Sequence, residues 1–227
     1  MTTASKLALP NAGDWNRFWE TNKVSSRPSW SKRRILDIIQ PYAVRGLSAM
    51  DAGCGSGFFA KYFCDEGMHT TALDYSAQAL AMTQEMTQSK ATIVQADLTN
   101  PDITGEITTR FDLIFSDGLL EHFSGDDQNL IMLNLKKLLK ENGVLISFVP
   151  NRYSPWELIR PYFMPGIKED PFTMKQLIDL NKKNALLILR SGGVNTLPIA
   201  FSPDGILGPS WGMLLYTIAK KQEYGKS

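Results

Sequence analysis

Apolar positions along the chain follow two alternating periods. Short β-type runs recur at residues 47–50, 69–73, 91–95, 111–115, 144–149 and 213–219. Between them lie stretches whose apolar residues return every three to four positions. Strands that alternate with amphipathic helices predict an α/β domain: a mostly parallel, doubly wound sheet covered on both faces. Asp14 can cap a first helix that carries Trp15, Phe18 and Trp19 on one side. Ser29 or Ser31 can cap a second, with Ile35, Leu36, Ile38 and Ile39 inward and a stop near Pro41. Further helices are expected from Phe58 to about Glu66, from Ser76 to about Gln88, and over 126–140, closed by the Asn142-Gly143 turn.

After residue 149 the pattern changes. Pro150, Pro155, Pro161, Pro165 and Pro171 are interspersed with Trp156, Tyr162, Phe163 and Phe172. So many aromatics predict an ordered, irregular cap rather than a solvated linker. Thr173 opens another helix. Residues 185–189 fit either a strand or the last turns of that helix. The helix is favoured, stopped by Gly192-Gly193, which leaves 194–201 as strand six. The expected organisation is one domain over 1–227: an N-terminal helical cap (1–44), a core (45–150), a substrate cap (151–183) and C-terminal strands (184–227).

Composition narrows the class. Hydrophobic residues make up 43% and charged residues 21% of 227 residues, as in ordinary globular proteins. The net charge of +1 supplies no field for nucleic acid or an anionic membrane. No apolar run is long enough for a membrane anchor or a secretory leader. Cys54 and Cys64 form neither a disulfide framework nor a metal-binding pair. A cytoplasmic protein with reduced thiols is expected.

The chemistry concentrates in the turn Asp51-Ala-Gly-Cys-Gly-Ser-Gly57, which follows a strand and opens a helix. Glycines there admit a ligand close to the backbone, and the helix N-terminus supplies N–H donors. Asp74 follows Gly53 by 21 residues, at the end of strand two, where a carboxylate can accept both hydroxyls of a ribose. Asp97 and the backbone of Leu98, after strand three, can read the edge of an adenine. A dinucleotide fold is disfavoured. Phe58 follows Gly57 where a small residue should pack, and Asp51 would repel a pyrophosphate. An acid at that position suits a ligand with an amino group and a sulfonium.

These segments, with Ala72-Leu-Asp-Tyr-Ser76, Ala96-Asp-Leu98, Phe111-Asp-Leu-Ile-Phe-Ser116, Leu120-Glu-His122 and Leu139-Lys-Glu-Asn-Gly-Val-Leu145, resemble the class I S-adenosylmethionine-dependent methyltransferases. The resemblance is closest to the small-molecule branch of ubiquinone and menaquinone biosynthesis, and it runs from about residue 45 to 150. It implies a Rossmann-like seven-stranded sheet with strand seven antiparallel, S-adenosylmethionine as methyl donor and S-adenosylhomocysteine as product. It places Asp51, Gly53, Cys54 and Gly55 at the methionine moiety, Asp74 at the ribose and Tyr75 on the adenine. Asp97 and Leu98 hold the adenine edge, and Ser116, Asp117 and Gly118 form the floor near the sulfonium.

A methyl transfer needs alignment and exclusion of water more than acid–base chemistry. Trp15, Trp19, Trp30, Tyr153 and Trp156 are therefore candidates to close over the donor and shape the acceptor pocket, with plain core packing as the competing reading. His122 admits two readings, a structural histidine, which is favoured, and a base for the acceptor. Arg152 and Arg160 could bind an acceptor carboxylate, although solvated side chains are favoured. His69 and Cys64 are read as structural.

A metal site of the catechol type would use Asp117 and an acid after strand five. Pro150-Asn151 stands there, so no metal is expected. Tyr216 and Lys220 match the spacing of a dehydrogenase pair but lie in a strand, about 13 Å apart. The expected activity is methyl transfer to O, S or N of a small, apolar or aromatic acceptor, without metal, nucleic acid or membrane anchor. A non-catalytic S-adenosylmethionine-binding regulator is the alternative, and a nicotinamide oxidoreductase a weaker one. The oligomeric state is left open.

Overall fold

The computed structural model describes residues 12–21, 28–163, 169–199 and 201–222. Seven strands form one sheet: β1 (Ser48–Ala52), β2 (His69–Asp74), β3 (Thr92–Gln95), β4 (Phe111–Asp117), β5 (Leu139–Pro150), β6 (Leu186–Val194) and β7 (Leu214–Lys221). Their spatial order is β3-β2-β1-β4-β5-β7-β6. β7 runs antiparallel to both its neighbours, and the pairs from β3 through β5 are parallel. Nine helices flank the sheet among the described residues: α1 (Ala12–Thr21), α2 (Trp30–Ile39), α3 (Phe58–Asp65), α4 (Ala77–Met86), α5 (Ile103–Glu106), α6 (Gly125–Leu138), α7 (Trp156–Phe163), α8 (Met174–Lys183) and α9 (Asp204–Trp211).

The period-two alternation of the central strands separates two buried layers. On β4, Leu113 and Phe115 face one side with Ile35, Ile39, Phe59 and Phe63 of α2 and α3. Ile114 faces the other with Leu135 and Leu138 of α6. On β5, Ile146 and Phe148 join the first layer, and Leu145 and Val149 join the second. Tyr216 packs beside Phe148 in the first layer, with ring centroids 5.4 Å apart, which settles it as a core residue. Of the two candidate caps for α2, Ser29 accepts the Lys32 N–H. Thr173 and Gln176 close a full capping box on α8.

The C-terminal third departs from the expected pattern. Residues 185–189 are not the end of α8. Asn184 caps that helix, Ala185 takes a φ of 51°, and the chain turns into β6. There Leu186 pairs with Lys221 and Val194 with Leu214. An apolar run of five fits either element in isolation, and here pairing with β7 decides it. The expected strand over 194–201 stops at its first residue, because Asn195 adopts a φ of 64° and Leu197 and Ile199 are exposed. α9 was not anticipated, since Gly205, Gly208 and Pro209 fall within it. The cap after β5 contains the helix α7. No described helix is long and apolar enough to cross a membrane.

α9 and β6 meet backbone to backbone. A Cβ on Gly193 would stand 1.9 Å from the Gly208 carbonyl oxygen, and one on Gly208 would stand 2.1 Å from the Gly193 carbonyl oxygen. Gly193→Ala should lower unfolding free energy by about 1–3 kcal/mol through this overpacking. Urea denaturation measures it, and an unchanged midpoint would contradict the contact.

Candidate functional site

Strands β1, β2 and β3 step outward in one direction and the chain then returns to place β4 on the other side of β1. That reversal opens a crevice at the carboxyl ends of the strands, the place where open α/β sheets bind ligands. A cavity of about 530 Å³ lies there, within the range of small-molecule sites.

Carboxylates stand at the ends of four successive strands. Asp51 of β1, Asp74 of β2 and Asp117 of β4 line the cavity, as does Asp97 just beyond β3. Asp51 is 2% exposed, and its Oδ2 accepts the Ala60 N–H of α3 at 2.9 Å. Burial pushes its carboxyl up to about 7; the Ala60 N–H opposes the rise, and Asp117 and Asp74 add to it. Burial likewise pushes Asp117 up to about 6. Asp74 is buried too, and its carboxyl is raised despite accepting N–H bonds from Gly55 at 3.0 Å and Ser76 at 2.9 Å. Asp97 is exposed and accepts both the Thr99 N–H and its hydroxyl. Lys32 of α2 is the cation that faces Asp117 and Asp51, and its Nζ sits 4.0 Å over the Phe58 ring. Burial lowers its own pKa.

The glycine turn differs from expectation in one respect. Its Gly55 N–H is held by Asp74, and the Ala60 N–H of the adjoining α3 is held by Asp51. The turn is thus stiffened by the acids that frame the crevice. Gly55 has a φ of 51°, and a Cβ there would lie 2.7 Å from the Trp19 ring. The Cys54 thiol sits 3.3 Å from the Thr83 hydroxyl, and burial pushes its pKa up.

Helix α1 brings Trp15, Phe18 and Trp19 to the cavity. Asn16 anchors it, accepting the Ser76 hydroxyl at 2.6 Å where α4 begins. Trp19 lies against Gly55, and Trp15 meets the His122 ring edge-on, with centroids 4.7 Å apart. Tyr75, Leu98 and His122 are also in the walls. Four of the expected residues are not. Ser116 bonds the Ser147 hydroxyl across β4 and β5. Trp30 is 44% exposed and stacks on Arg34, Tyr153 is 66% exposed, and Trp156 is half-buried beyond the cavity walls. Aromatic density in the sequence marked these three, yet α2 presents Lys32, not Trp30, to the crevice.

Sequence reasoning missed Lys32, Phe123, Glu121 and Glu169, all of which line the cavity. Glu121 is 1% exposed and burial drives its carboxyl well above the usual range. Glu169 pairs with Arg160 at 3.3 Å, and Arg160 also pairs with Glu157 at 3.1 Å. Arg152 is paired with Asp170 at 2.7 Å. Only the Glu-His step after β4 was visible beforehand.

Residues 50–147 match the family model described as a methyltransferase domain. The malonyl-[acyl-carrier protein] O-methyltransferase of Pectobacterium atrosepticum is 38% identical over 74 residues, 33% of this chain and 26% of that protein. The ubiquinone biosynthesis O-methyltransferase of Coxiella burnetii is 27% identical over 119 residues, 52% of this chain and 50% of that protein. The match thus spans between a quarter and a half of the length of these relatives. Among solved structures, the N-methyltransferase NodS from Bradyrhizobium japonicum, in complex with S-adenosylhomocysteine, superposes with a TM-score of 0.68. It is 14% identical, and the match covers 94% of this chain and 100% of that one, a likeness of fold.

The raised acids carry a testable cost. A carboxyl whose folded pKa exceeds its unfolded value holds extra protons in the fold, so stability falls as pH rises from about 4 through 7. Asp51→Asn removes that loss while keeping an acceptor for Ala60. At about pH 8 it should stabilise the ligand-free protein by about 1–3 kcal/mol, and the gain should shrink as pH falls toward 5. Thermal denaturation across that range measures it. A loss of stability at high pH would contradict the burial of a charged Asp51.

Proposed function

We propose that this chain, whose residues 50–147 match a methyltransferase domain, is a class I S-adenosylmethionine-dependent methyltransferase that transfers a methyl group to O, S or N of a small, apolar or aromatic acceptor. The observation that carries the reading is the crevice itself. It is lined by carboxylates at successive strand ends together with Trp15, Phe18, Phe123 and His122. When bound, S-adenosylmethionine supplies a methyl carbon on a sulfonium: an acceptor lone pair forms the new bond to carbon in line, and the C–S electron pair stays on sulfur.

The chain's own groups fit that ligand. Asp51 and Asp117, which line the crevice with Lys32 as the cation facing them, are short of compensating charge. A ligand bearing an ammonium and a sulfonium supplies it. Asp74 keeps its oxygens ordered on two backbone N–H groups and faces the cavity for the ribose hydroxyls. Tyr75 and Leu98 wall the adenine side, and Asp97 stands beside them at the exposed rim. Trp15 and Trp19 exclude water over the glycine turn, and ring faces tolerate a neighbouring cation. His122, held by the Trp15 ring, handles the polar atom of the acceptor. Residues 151–183, which include the half-buried Glu169, are read as the acceptor cap of a single domain. Both cysteines are free thiols, which supports a reducing, cytoplasmic setting.

Thermal shift with S-adenosylmethionine, S-adenosylhomocysteine and NAD tests the assignment. Stabilisation by the first two is expected, and stabilisation by NAD alone would overturn it. Release of S-adenosylhomocysteine with a panel of acceptors separates an enzyme from a binder. Asp74→Ala should weaken S-adenosylhomocysteine by about 1.5–3 kcal/mol in calorimetry, since a charged acceptor of two hydroxyl bonds is lost. Unaltered affinity would put the ribose elsewhere.

A further inference from the structure

At the end of the cavity beyond β4, two carboxylates and an imidazole converge. Glu121, His122 and Glu169 each offer a ligand atom, and these atoms all lie within 4.8 Å of one another. All three residues line the cavity. The first two sit in the single turn that follows β4, and Glu169 comes from the cap. A backbone bond from Asp170 N–H to the Glu121 carbonyl, 2.9 Å long, ties the two segments together.

Within this set it is the Glu121 carboxylate that is short of a partner. Glu121 is 1% exposed, and its Oε2 has no hydrogen-bond partner. Its Oε1 stands 3.9 Å from His122 Nε2, too far for a hydrogen bond. A buried carboxylate oxygen without a donor is costly, and a second carboxylate beside it raises the cost. Glu169 is held by Arg160, which Glu157 holds in turn. The guanidinium thus orients one carboxylate as an outer partner does in metal sites, and its charge also acts on Glu121 without giving Oε2 a donor. Asp117 adds further negative potential from the neighbouring strand end.

We propose that Glu121, His122 and Glu169 bind a divalent first-row transition ion, with open positions toward the cavity that take a chelating oxygen acceptor. Two carboxylates with one imidazole match Mn²⁺, Co²⁺ or Zn²⁺ better than Mg²⁺ or Ca²⁺, which prefer all-oxygen shells. Three protein ligands with open positions are the pattern of a working site rather than a structural one. The site is distinct from the catechol-type position, which would use an acid after β5 and which Asn151 does not provide. It also departs from the metal-free expectation drawn from that position. The acceptor class rests on the methyl-transfer reading; the ion site itself does not. A hydroxyl bound to the ion loses its proton to water, its oxygen bonds to the methyl carbon, and the C–S pair remains on sulfur, so neither oxidant nor reductant is needed.

Electron paramagnetic resonance of MnCl₂ titrated into the full chain, with CoCl₂ and ZnCl₂ in competition, tests the proposal. One Mn²⁺ per chain should bind with a dissociation constant below about 1 mM. Glu121→Gln should weaken binding by at least roughly tenfold, and Glu169→Gln should do likewise. Circular dichroism and S-adenosylhomocysteine calorimetry show that each variant is folded with its donor site intact. If S-adenosylhomocysteine binds and none of the three ions does, the metal site is overturned and the methyltransferase reading stands. If an ion binds and S-adenosylhomocysteine does not, the reading falls and the site stands. Ion binding that both variants leave unchanged would also overturn the assignment.

Discussion

The structure turns on the concentration of buried negative charge at the carboxyl ends of its strands. Asp51, Asp74 and Asp117 converge on one crevice, and Lys32 is the cation brought to face Asp51 and Asp117. In low dielectric each ion loses solvation, so the acids are pushed toward protonation and the lysine toward neutrality. No gain in packing requires this. A fold with asparagines at these positions would satisfy the same backbone donors without like charges. The arrangement makes sense as a site completed from outside by positive charge, so the ligand-free state gives up stability that binding restores.

That constraint explains how the local backbone is built. The acids are not left to point freely into the crevice. Asp51 holds the first turn of α3 through Ala60, and Asp74 holds the glycine turn through Gly55 and the start of α4 through Ser76. The same carboxylates that would receive a ligand therefore fix the loop the ligand must approach. Recognition and loop conformation are one network, and groups in such networks do not contribute additively.

The sheet core was legible in the sequence because it is governed by local periodicity. β1 to β4, β7 and the later part of β5 come from alternating or continuous apolar runs, and the glycine turn with Asp74 and Asp97 identified the strand ends; the expected helix end at 140 and the Asn142-Gly143 turn are instead taken up by β5, which starts at Leu139. Legibility failed where tertiary pairing overrides local preference. β6 could be distinguished from a helix only through its register with β7. α9 carries two glycines and a proline that argue against a helix, and its Gly208 is required by the approach of Gly193. At the site, the aromatic residues were chosen by type. Trp15 and Trp19 reach the cavity because α1 is pinned by Asn16 to Ser76, which no periodicity encodes. Trp30 fails because the turn of α2 presents Lys32 instead. Lys32 and Glu169 left no signal, since each lies far along the chain from the motifs it joins.

On the proposed function, the cap gives the acceptor side its character. Glu169 reaches the cavity with its carboxylate fixed by Arg160 of α7, and the adjacent Asp170 N–H binds the backbone of the turn that carries Glu121 and His122. Donor and acceptor ends are thus built differently. The donor end is made of strand tips and the glycine turn, which the fold places wherever this sheet order occurs. The acceptor end joins the turn after β4 to a segment outside the sheet, so it can vary without disturbing strand register. On that reading, specificity for the acceptor resides in the contact between that turn and the cap, where an acid, an imidazole and a clamped carboxylate meet across two segments far apart in the chain.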